Sequence, residues 1–369
     1  MKFTTNTKPL AEALNLGIID SNISNFYKKS GITQISANED TLKINIESSM
    51  ICTEIRVKGV GEGEPATAFV DSTLFKKLIH TLESNVTLEF EPNGIKITSG
   101  KSKFTLSNTL GDIIDSTEFS LKAPITPPQD AQFSDINLEN WKYIKDNQMY
   151  ALAKSYVHPV YTKVWLGEDN GVLTGDIDAS LFTYSMKGGF GKTCLLSGTI
   201  INLLNSLPET AQITSVGSDY IIKFSKDAYD YVTQFTPQYE DNEEVGIYKS
   251  DMLLSMMSHP DKSCKVFTNL VTKLLNQASM LSSSGIKIIK FTVKDNVLYL
   301  DNEQVHGQIP VEGDESLNFS VNFNLDMLKQ VISNYGDRFV DVGPMYSGDR
   351  AVGIILWNEE LTTIFAGVE

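Results

Sequence analysis

The sequence has no run of about 18 apolar residues, so no single helix is expected to cross a bilayer. Its opening residues contain no continuous apolar stretch of the kind that marks a secretory signal. Only three cysteines occur (Cys52, Cys194 and Cys264), far apart and without a CxxC pair. That scarcity argues against a disulfide framework and against a zinc site, so we expect a protein of the reducing cytoplasm.

Positive charge is also scarce. The chain has 31 lysines and arginines against 46 aspartates and glutamates, a formal net charge of −15. Proteins that bind nucleic acid over an open surface usually carry a basic patch. Any hypothesis of DNA binding must therefore explain this charge, whose simplest role is solubility.

The sequence contains no catalytic or metal-binding motif built on histidine or serine. His80, His158, His259 and His306 are scattered, without HxxxH or HExxH spacing, and no GxSxG elbow occurs. Carboxylates are abundant, so any chosen acid pair would be a chance pairing. We predict a non-catalytic protein that needs neither a metal nor a cofactor.

One motif points to nucleotide binding. Residues Lys187 to Thr193 read KGGFGKT and match the deviant Walker pattern, in which backbone amides and a lysine hold phosphates. A phosphate loop opens directly into its helix, whereas the helix predicted from Thr199 to Leu207 starts several residues later. Hairpins follow instead of parallel βαβ units. We interpret the motif as a connection between strands, with nucleotide binding as the alternative.

The sequence does contain a repeat of about 126 residues, visible as a pattern rather than as identity. Each copy has a predicted helix with apolar residues at helical spacing. These residues are Leu74, Leu78 and Leu82, then Ile200, Leu204 and Leu207, then Leu325, Leu328 and Ile332. A hairpin pattern follows each helix, with turns at Asn93-Gly94, at Gly217 to Asp219 and at Ser347 to Asp349.

A second predicted helix opens each copy, near residues 8, 137 and 267, and leads into two strands that turn around Asp40, Asn170 and Asn296. Because hairpins dominate, the predicted class is α+β with antiparallel sheets. A proline-rich stretch at 121–132 and an acidic cluster at 240–244 have the composition of linkers. We therefore predict three domains, at 1–122, 129–243 and 246–369.

The predicted helices are more basic than the chain as a whole. They carry eight lysines and four carboxylates: Lys8, Lys76, Lys77, Lys142, Lys145, Lys154, Lys273 and Lys329, against Glu12, Glu139, Asp146 and Asp326. If such helices lined a ring, the lysines would attract DNA phosphates without reading sequence, and weak contact suits sliding. Lysines are also good helix formers on solvated faces, so the alternative that they have no role in DNA binding stays open.

Taken in order, these segments resemble the bacterial-type DNA sliding clamps, the β subunits of replicative DNA polymerase III, or a phage-encoded relative. The resemblance covers essentially all 369 residues and is clearest at 87–107, 270–300 and 317–337. It implies three clamp domains in a ring, with helices inside and sheets outside. It also implies a non-catalytic processivity factor that encircles duplex DNA and works with the replicative polymerase and a clamp loader.

The resemblance further implies a head-to-tail homodimer. The matching residues are Phe104 and Leu106 on an edge strand, and Met280 and Leu281 at a helix end. An exposed apolar edge strand is a liability unless another chain completes the sheet. The alternative is that Phe104 and Leu106 face the core of their own domain.

Finally, the resemblance implies an apolar groove for short peptides of partner proteins. The matching residues are Tyr161, Phe182, Pro237, Ile364 and Phe365. The chain departs from the family here, since Ser180 and Leu181 stand where the family has histidine and arginine, and the chain ends in IFAGVE. The partner peptides therefore stay open, as does host or phage origin. A β-rich structural module without a DNA role is the remaining alternative.

Overall fold

A computed structural model of the chain describes residues 1–17, 31–48, 50–109, 120–153, 159–239, 258–281 and 287–368. These residues form six α-helices and 27 strands, and the strand pairings are antiparallel, in agreement with the predicted class. None of the described helices is long and apolar enough to cross a membrane.

The six helices begin close to where the sequence predicted them. They are α1 (Thr7–Leu16), α2 (Ser72–His80), α3 (Leu138–Asn147), α4 (Gly198–Ser206), α5 (Thr268–Leu281) and α6 (Leu325–Ser333). Side-chain caps fix three of the starts: Asn6, Asp71 and Asn324 each accept a hydrogen bond from a backbone N–H of the first turn. Such caps satisfy donors that the helix itself leaves unpaired.

The strands follow in chain order. Those up to residue 135 are β1 (Lys2–Asn6), β2 (Ile32–Ala37), β3 (Thr41–Glu47), β4 (Ile51–Lys58), β5 (Val60–Glu62), β6 (Ala66–Asp71), β7 (Asn85–Glu91), β8 (Gly94–Ser99), β9 (Ser102–Ser107) and β10 (Ser134–Asp135). Next come β11 (Lys163–Leu166), β12 (Val172–Asp176), β13 (Leu181–Ser185), β14 (Cys194–Ser197), β15 (Gln212–Val216), β16 (Asp219–Lys226), β17 (Tyr229–Phe235) and β18 (Gln238–Tyr239). The last are β19 (Cys264–Phe267), β20 (Ile288–Lys294), β21 (Val297–Asp301), β22 (His306–Pro310), β23 (Glu312–Gly313), β24 (Phe319–Asn324), β25 (Phe339–Ser347), β26 (Arg350–Trp357) and β27 (Leu361–Ala366).

The chain divides into two compact units: Met1–Leu138 with Asn202–Pro237, and Glu139–Ile201 with Gln238–Glu369. The first unit holds a five-stranded sheet in the order β5-β1-β7-β8-β9 and an eight-stranded sheet in the order β10-β15-β16-β17-β4-β3-β2-β6. Its helices α1 and α2 contact each other. Phe3, Leu10, Phe75 and Ile97 are fully buried there.

The second unit is built in the same way. It holds a ten-stranded sheet in the order β18-β14-β11-β12-β13-β27-β26-β25-β19-β23 and a four-stranded sheet in the order β22-β21-β20-β24. Helices α5 and α6 contact each other, and Leu275, Phe291, Phe323 and Leu328 belong to one buried cluster. The division into three domains at 1–122, 129–243 and 246–369 stays a prediction.

The predicted turns lie where the sequence indicated. β2 and β3 pair around Asp40, β7 and β8 around Asn93-Gly94, and β20 and β21 around Asn296. Asn170 and Asn296 have positive φ values of 67° and 57°. Asparagine tolerates this left-handed backbone better than most residues, which is why it is a useful turn signal.

The predicted apolar stripe is right in α6 and wrong in α2. Leu328 and Ile332 are buried in α6, whereas Leu74 of α2 is 57% exposed and Leu82 lies beyond the end of that helix. Phe75 and Ile79 are the buried pair of α2 instead. Phe75 and Ile79 are an i, i+4 pair and therefore share one face of α2, the face that is buried in the first unit.

The proline-rich stretch at 121–132 contains no helix or strand, as expected of a linker, but it is tied to the eight-stranded sheet. Backbone N–H groups of Leu121, Lys122 and Ile125 donate to the side chains of Gln34, Glu47 and Gln234 at 2.9, 2.7 and 2.9 Å. Hydrogen bonds thus satisfy both the linker backbone and these polar side chains of the sheet. The acidic cluster at 240–244 lies outside the described residues.

Candidate functional site

Seven of the eight predicted DNA-lining lysines lie in the described residues, all on helices. Lys8, Lys77, Lys142, Lys145 and Lys273 are exposed, and Lys76 and Lys329 are half-buried. Burial lowers the pKa of Lys76 from its ordinary value. Within the described residues none of the seven forms an ion pair. Lys154 lies outside them.

The lysines differ in the carboxylates that share their helix face. Lys8 has Glu12 four residues on, Lys142 has Asp146 four residues on, and Lys329 follows Asp326 by three. Residues at these spacings are neighbours on a helix surface. Helix α2 carries Lys76 and Lys77 together and contains no carboxylate, which makes it the most basic of the described helices.

The predicted interface residues lie at exposed edges. β9 is an edge strand of the five-stranded sheet; Phe104 is 39% exposed and Leu106 half-buried. Met280 and Leu281 at the end of α5 are 82% and 60% exposed. Phe104 and Leu106 pair across β8 with the fully buried Ile97 and Ile95, so they lie on the core face of their own sheet, at its exposed edge, and the interface role stays a prediction.

The strand pairing between repeat copies follows one rule. β4, β13 and β22 are each the third strand after the first helix of a copy, and β9, β17 and β27 each end the meander after its second helix. β4 pairs antiparallel with β17, and β13 pairs antiparallel with β27. In both cases the third strand of one copy meets the last strand of the next. The two strands left over, β9 and β22, are both edge strands.

Three predicted groove residues come together in one apolar cluster. Tyr161, Phe182 and Ile364 are 6%, 6% and 1% exposed, and the rings of Tyr161 and Phe182 meet edge-on with centroids 6.1 Å apart. Phe182 covers Gly175 so closely that a Cβ atom there would lie 2.1 Å from its ring. Burial raises the pKa of Tyr161 above its ordinary value.

The other two predicted groove residues lie elsewhere. Phe365 belongs to the large buried cluster of the second unit and stacks on Phe323 with ring centroids 4.9 Å apart. Neighbouring residues of a strand point to opposite faces, so Ile364 and Phe365 cannot both face the smaller cluster. Pro237 is buried and belongs to the first unit.

Five residues of the smaller cluster were missed from the sequence: Val160, Trp165, Leu173, Leu195 and Ile355. Trp165, Leu173 and Leu195 are direct partners across β14, β11 and β12, so their side chains share one face. The strands around them are buried on both faces, and such strands lack the alternation that would separate one face from the other.

The KGGFGKT motif connects β13 to β14, as interpreted from the sequence, and α4 begins only at Gly198. Both lysines of the motif have partners. Lys187 Nζ lies 2.9 Å from Glu360 Oε1, and Lys192 Nζ lies 5.9 Å from the centroid of the Tyr239 ring. The hydrogen bonds from Lys187 and Arg338 hold the pKa of Glu360 below its ordinary value. The described residues contain no cluster of histidine, cysteine and carboxylate ligands.

No protein-family model and no curated protein matches the sequence. Solved structures do match over the whole chain. The DNA polymerase III β subunit of Thermotoga maritima aligns with a TM-score of 0.75 at 14% identity, covering 100% of this chain and 99% of that one. The sliding clamp of Bacillus subtilis gives 0.72 at 16% identity, with the same coverage. The DNA polymerase III β subunit of Pseudomonas aeruginosa gives 0.72 at 13% identity, with 100% of both chains covered. The resemblance inferred from the sequence is thus confirmed in the fold: this chain has the fold of the DNA polymerase III β subunits, the bacterial sliding clamps.

Proposed function

We propose that the chain is a DNA sliding clamp, a non-catalytic processivity factor. In this proposal two copies pair head-to-tail into a ring around duplex DNA and tether the replicative polymerase. The observation that carries the proposal is the pair of leftover edges, β9 and β22, in a chain with the clamp fold. The same strand types already pair with each other twice within the chain.

The β4–β17 junction serves as the template for the register between copies; the β13–β27 junction, in which Leu181 pairs with Phe365, is offset from it. Cys52 of β4 and His306 of β22 hold the same place in their hairpins, as do Tyr229 of β17 and Ser102 of β9. If β22 and β9 pair as β4 and β17 do, Phe104 of one copy would lie opposite Ile309 of the other. Thr105 would then lie opposite Gln308.

Burial supports this register. A Cβ atom on Gly307 would lie 2.4 Å from Leu274 of α5, so Gly307 and Ile309 are on the face of the sheet that α5 covers. Partners across strands point to the same face. Phe104 and Leu106 would therefore join that face, close to the helix whose end exposes Met280 and Leu281. Four exposed or half-buried apolar side chains would become covered.

The helix lysines would supply the contact with DNA. In the proposed ring the helices face the central hole, so seven described lysines would meet phosphates while the acidic excess lies mainly elsewhere in the chain. Lysine–phosphate attraction is non-specific and salt-dependent, which permits sliding. A closed ring leaves DNA only by opening, so weak contacts suffice. The tethered polymerase gains from its raised effective concentration at the primer end.

The smaller apolar cluster would anchor peptides of the polymerase and the clamp loader. Half-buried Tyr184 and Met345 supply its accessible apolar surface, and they pack against the buried Tyr161, Phe182 and Ile364. Such clusters typically bind through a few apolar anchors. Ser180 and Leu181 replace the histidine and arginine of the bacterial clamps, which favours a partner peptide that differs from the peptides those clamps bind.

Neither alternative function has comparable support. A nucleotide site would need Lys187 and Lys192 directed at phosphates, but these lysines contact Glu360 and the Tyr239 ring. A structural module without a DNA role does not explain why complementary edge strands remain at both ends of the repeat array.

The register can be tested with a cysteine pair. Thr105→Cys/Gln308→Cys should form an intermolecular disulfide on mild oxidation, because both sites are exposed and would face each other. The matched control is Thr105→Cys/Ile309→Cys, whose sulfurs would lie on opposite faces. The native cysteines are buried, and burial raises their pKa values to about 11 for Cys52 and about 12 for Cys194 and Cys264.

The same variant tests encirclement. Oxidation in the presence of a nicked circular plasmid should trap rings that survive high salt and are released when the plasmid is cut. Cross-linking of the control to the same extent, or a chain that stays monomeric at micromolar concentration, would contradict the head-to-tail pairing. A cross-linked dimer that is never retained on circular DNA would contradict the DNA role alone.

A further inference from the structure

A cavity of about 400 Å³ lies on the eight-stranded sheet of the first unit, between side chains of β2, β3, β4 and β6. Lys43 and Arg56 are the charged residues that line it. We propose that this cavity binds a phosphate-type oxyanion, as the free ion or as a phosphate ester. The site is distinct from the helix lysines and from the apolar cluster.

The sheet register brings the two cations together. Thr67, Ser36, Lys43 and Arg56 are successive partners across β6, β2, β3 and β4. Cross-strand partners point to one face and lie about 5 Å apart. Two hydroxyl groups and two cations therefore form a continuous row along the wall of the cavity.

A buried carboxylate holds both cations in position. Glu54, whose side chain is only 10% exposed, lies 2.5 Å from Lys43 Nζ through Oε2 and 2.7 Å from Arg56 Nη2 through Oε1. Burial alone would raise the pKa of Glu54, but the hydrogen bonds and charges of Lys43 and Arg56 hold it below its ordinary value. Glu54 thus stays ionised and fixes the geometry of the two cations, and these three residues together carry one net positive charge.

The residues that line the cavity have hydrogen-bond donors that the contacts with Glu54 do not use. Arg56 meets Glu54 through Nε and Nη2, which leaves its Nη1 hydrogens, and the ammonium of Lys43 has hydrogens beyond the one that Glu54 accepts. Ser36 and Thr67 share one hydroxyl hydrogen bond of 2.9 Å, so one hydroxyl hydrogen remains. The side-chain oxygen of Asn38 accepts from two backbone N–H groups, which turns its amide nitrogen away from that turn.

A ligand for such a lining must accept hydrogen bonds and carry negative charge. Phosphate oxygens accept only, and arginine binds them through parallel N–H groups. Ala37, Pro65 and Ala66 form an apolar wall, and the cavity is larger than a single phosphate group. An ester with a small organic part therefore fits the space better than the free ion.

Other carboxylates lie near the cavity: Asp40, Asp230, and Glu39 and Glu64, which adjoin the lining residues Asn38 and Pro65 in the sequence. Asp40 accepts a hydrogen bond from the Thr41 hydroxyl at 2.9 Å. Asp230 is the register partner of Arg56 on β17, but it forms no ion pair with Arg56 within the described residues. These charges weaken the attraction for an anion, and we expect binding to be weak for the free ion.

Inorganic phosphate is the first probe, titrated into the full chain by calorimetry at ionic strength held constant with potassium chloride. We expect one saturable site per chain, and about tenfold weaker binding for Lys43→Gln, since that variant removes one charge-assisted hydrogen bond. Arg56→Gln should weaken binding at least as much. The matched control is Lys96→Gln: Lys96 is 37% exposed and pairs with Glu89 at 3.1 Å, against 38% exposure for Lys43.

A nucleoside monophosphate is the second probe, and it separates the two ligand sources. If the nucleoside monophosphate binds more tightly than inorganic phosphate, its organic part contacts the apolar wall and the ligand is an ester. If both bind equally, the site recognises the phosphate group alone. The proposal is overturned if no saturable binding occurs, if Lys96→Gln weakens binding as much as Lys43→Gln, or if chloride alone produces the same signal. Thermal unfolding of each variant establishes that it is folded.

Discussion

Replacing the two lysines of α2 should weaken non-specific DNA binding more than replacing two other helix lysines. Lys76→Gln/Lys77→Gln removes two charges per chain from a helix without carboxylates. Lys8→Gln/Lys329→Gln also removes two charges, but each of these lysines shares its helix face with an acid, Glu12 or Asp326. The two double variants therefore have the same net charge, but the electrostatic field around the replaced lysines differs.

The magnitude follows from counterion release. Each neutralised phosphate contributes about 0.9 to the slope of log K against log salt concentration. A ring of two copies would carry four α2 lysines, so their loss should reduce that slope by up to about 3.6. Asp326 cancels part of the field of Lys329. Glu12, which also pairs with Lys226 at 3.4 Å, cancels a smaller part of the field of Lys8, so the control should lose less than the α2 variant.

The assay is equilibrium binding of a fluorescent duplex of arbitrary sequence over a series of potassium chloride concentrations. Disulfide-closed dimers and untreated protein are compared, so that ring opening does not dominate the result. Equal slopes for the two double variants would refute the assignment of phosphate contact to α2. An unchanged slope in both would show that the helices do not face the DNA.

Four further substitutions test the packing, a buried hydrogen bond and the ion pairs of Glu54. Phe75→Ala should destabilise the fold by about 3–5 kcal/mol in urea unfolding, because Phe75 is fully buried, while Leu74→Ala should cost less than about 1 kcal/mol. Tyr335→Phe should cost about 1–2 kcal/mol, since the buried hydroxyl donates to Leu356 O and lies 2.8 Å from Thr363 Oγ1. Glu54 has a lowered pKa, so its contribution is present at neutral pH and is lost as the pH falls through that pKa. Glu54→Gln should therefore destabilise by about 1 kcal/mol at pH 7 and by less below about pH 4.

Local chemistry explains why much of the fold could be predicted from the sequence. Gly94, Asn170 and Asn296 mark turns because few other residues adopt positive φ at low cost. The starts of α1, α2 and α6 have asparagine or aspartate caps that are visible in the sequence. Signals of this kind depend on a few neighbouring residues, so they can be recognised without any knowledge of the tertiary structure.

Features that depend on distant partners could not be predicted in the same way. The phase of α2 placed Phe75 inward instead of Leu74, and both are large apolar residues one position apart. The attachment of the linker depends on Gln34, Glu47 and Gln234, which lie far from it in the sequence. In the candidate groove, Ile364 and Phe365 were grouped together although a strand must separate their side chains.

The pairing rule between copies constrains assembly more strongly than any single residue does. Because the internal junctions join a third strand to a last strand, one strand of each type, β22 and β9, is left at a sheet edge among the described residues. Such a head-to-tail interface either closes into a ring or continues into a filament, according to the rotation at each junction. A ring of two copies stops growing at the dimer, whereas a filament lengthens with concentration. The exposed Phe104 would favour filaments if closure failed, because an unpaired apolar edge pairs with any available strand. Light scattering over a wide concentration range therefore separates the closed clamp from open polymerisation of the same interface.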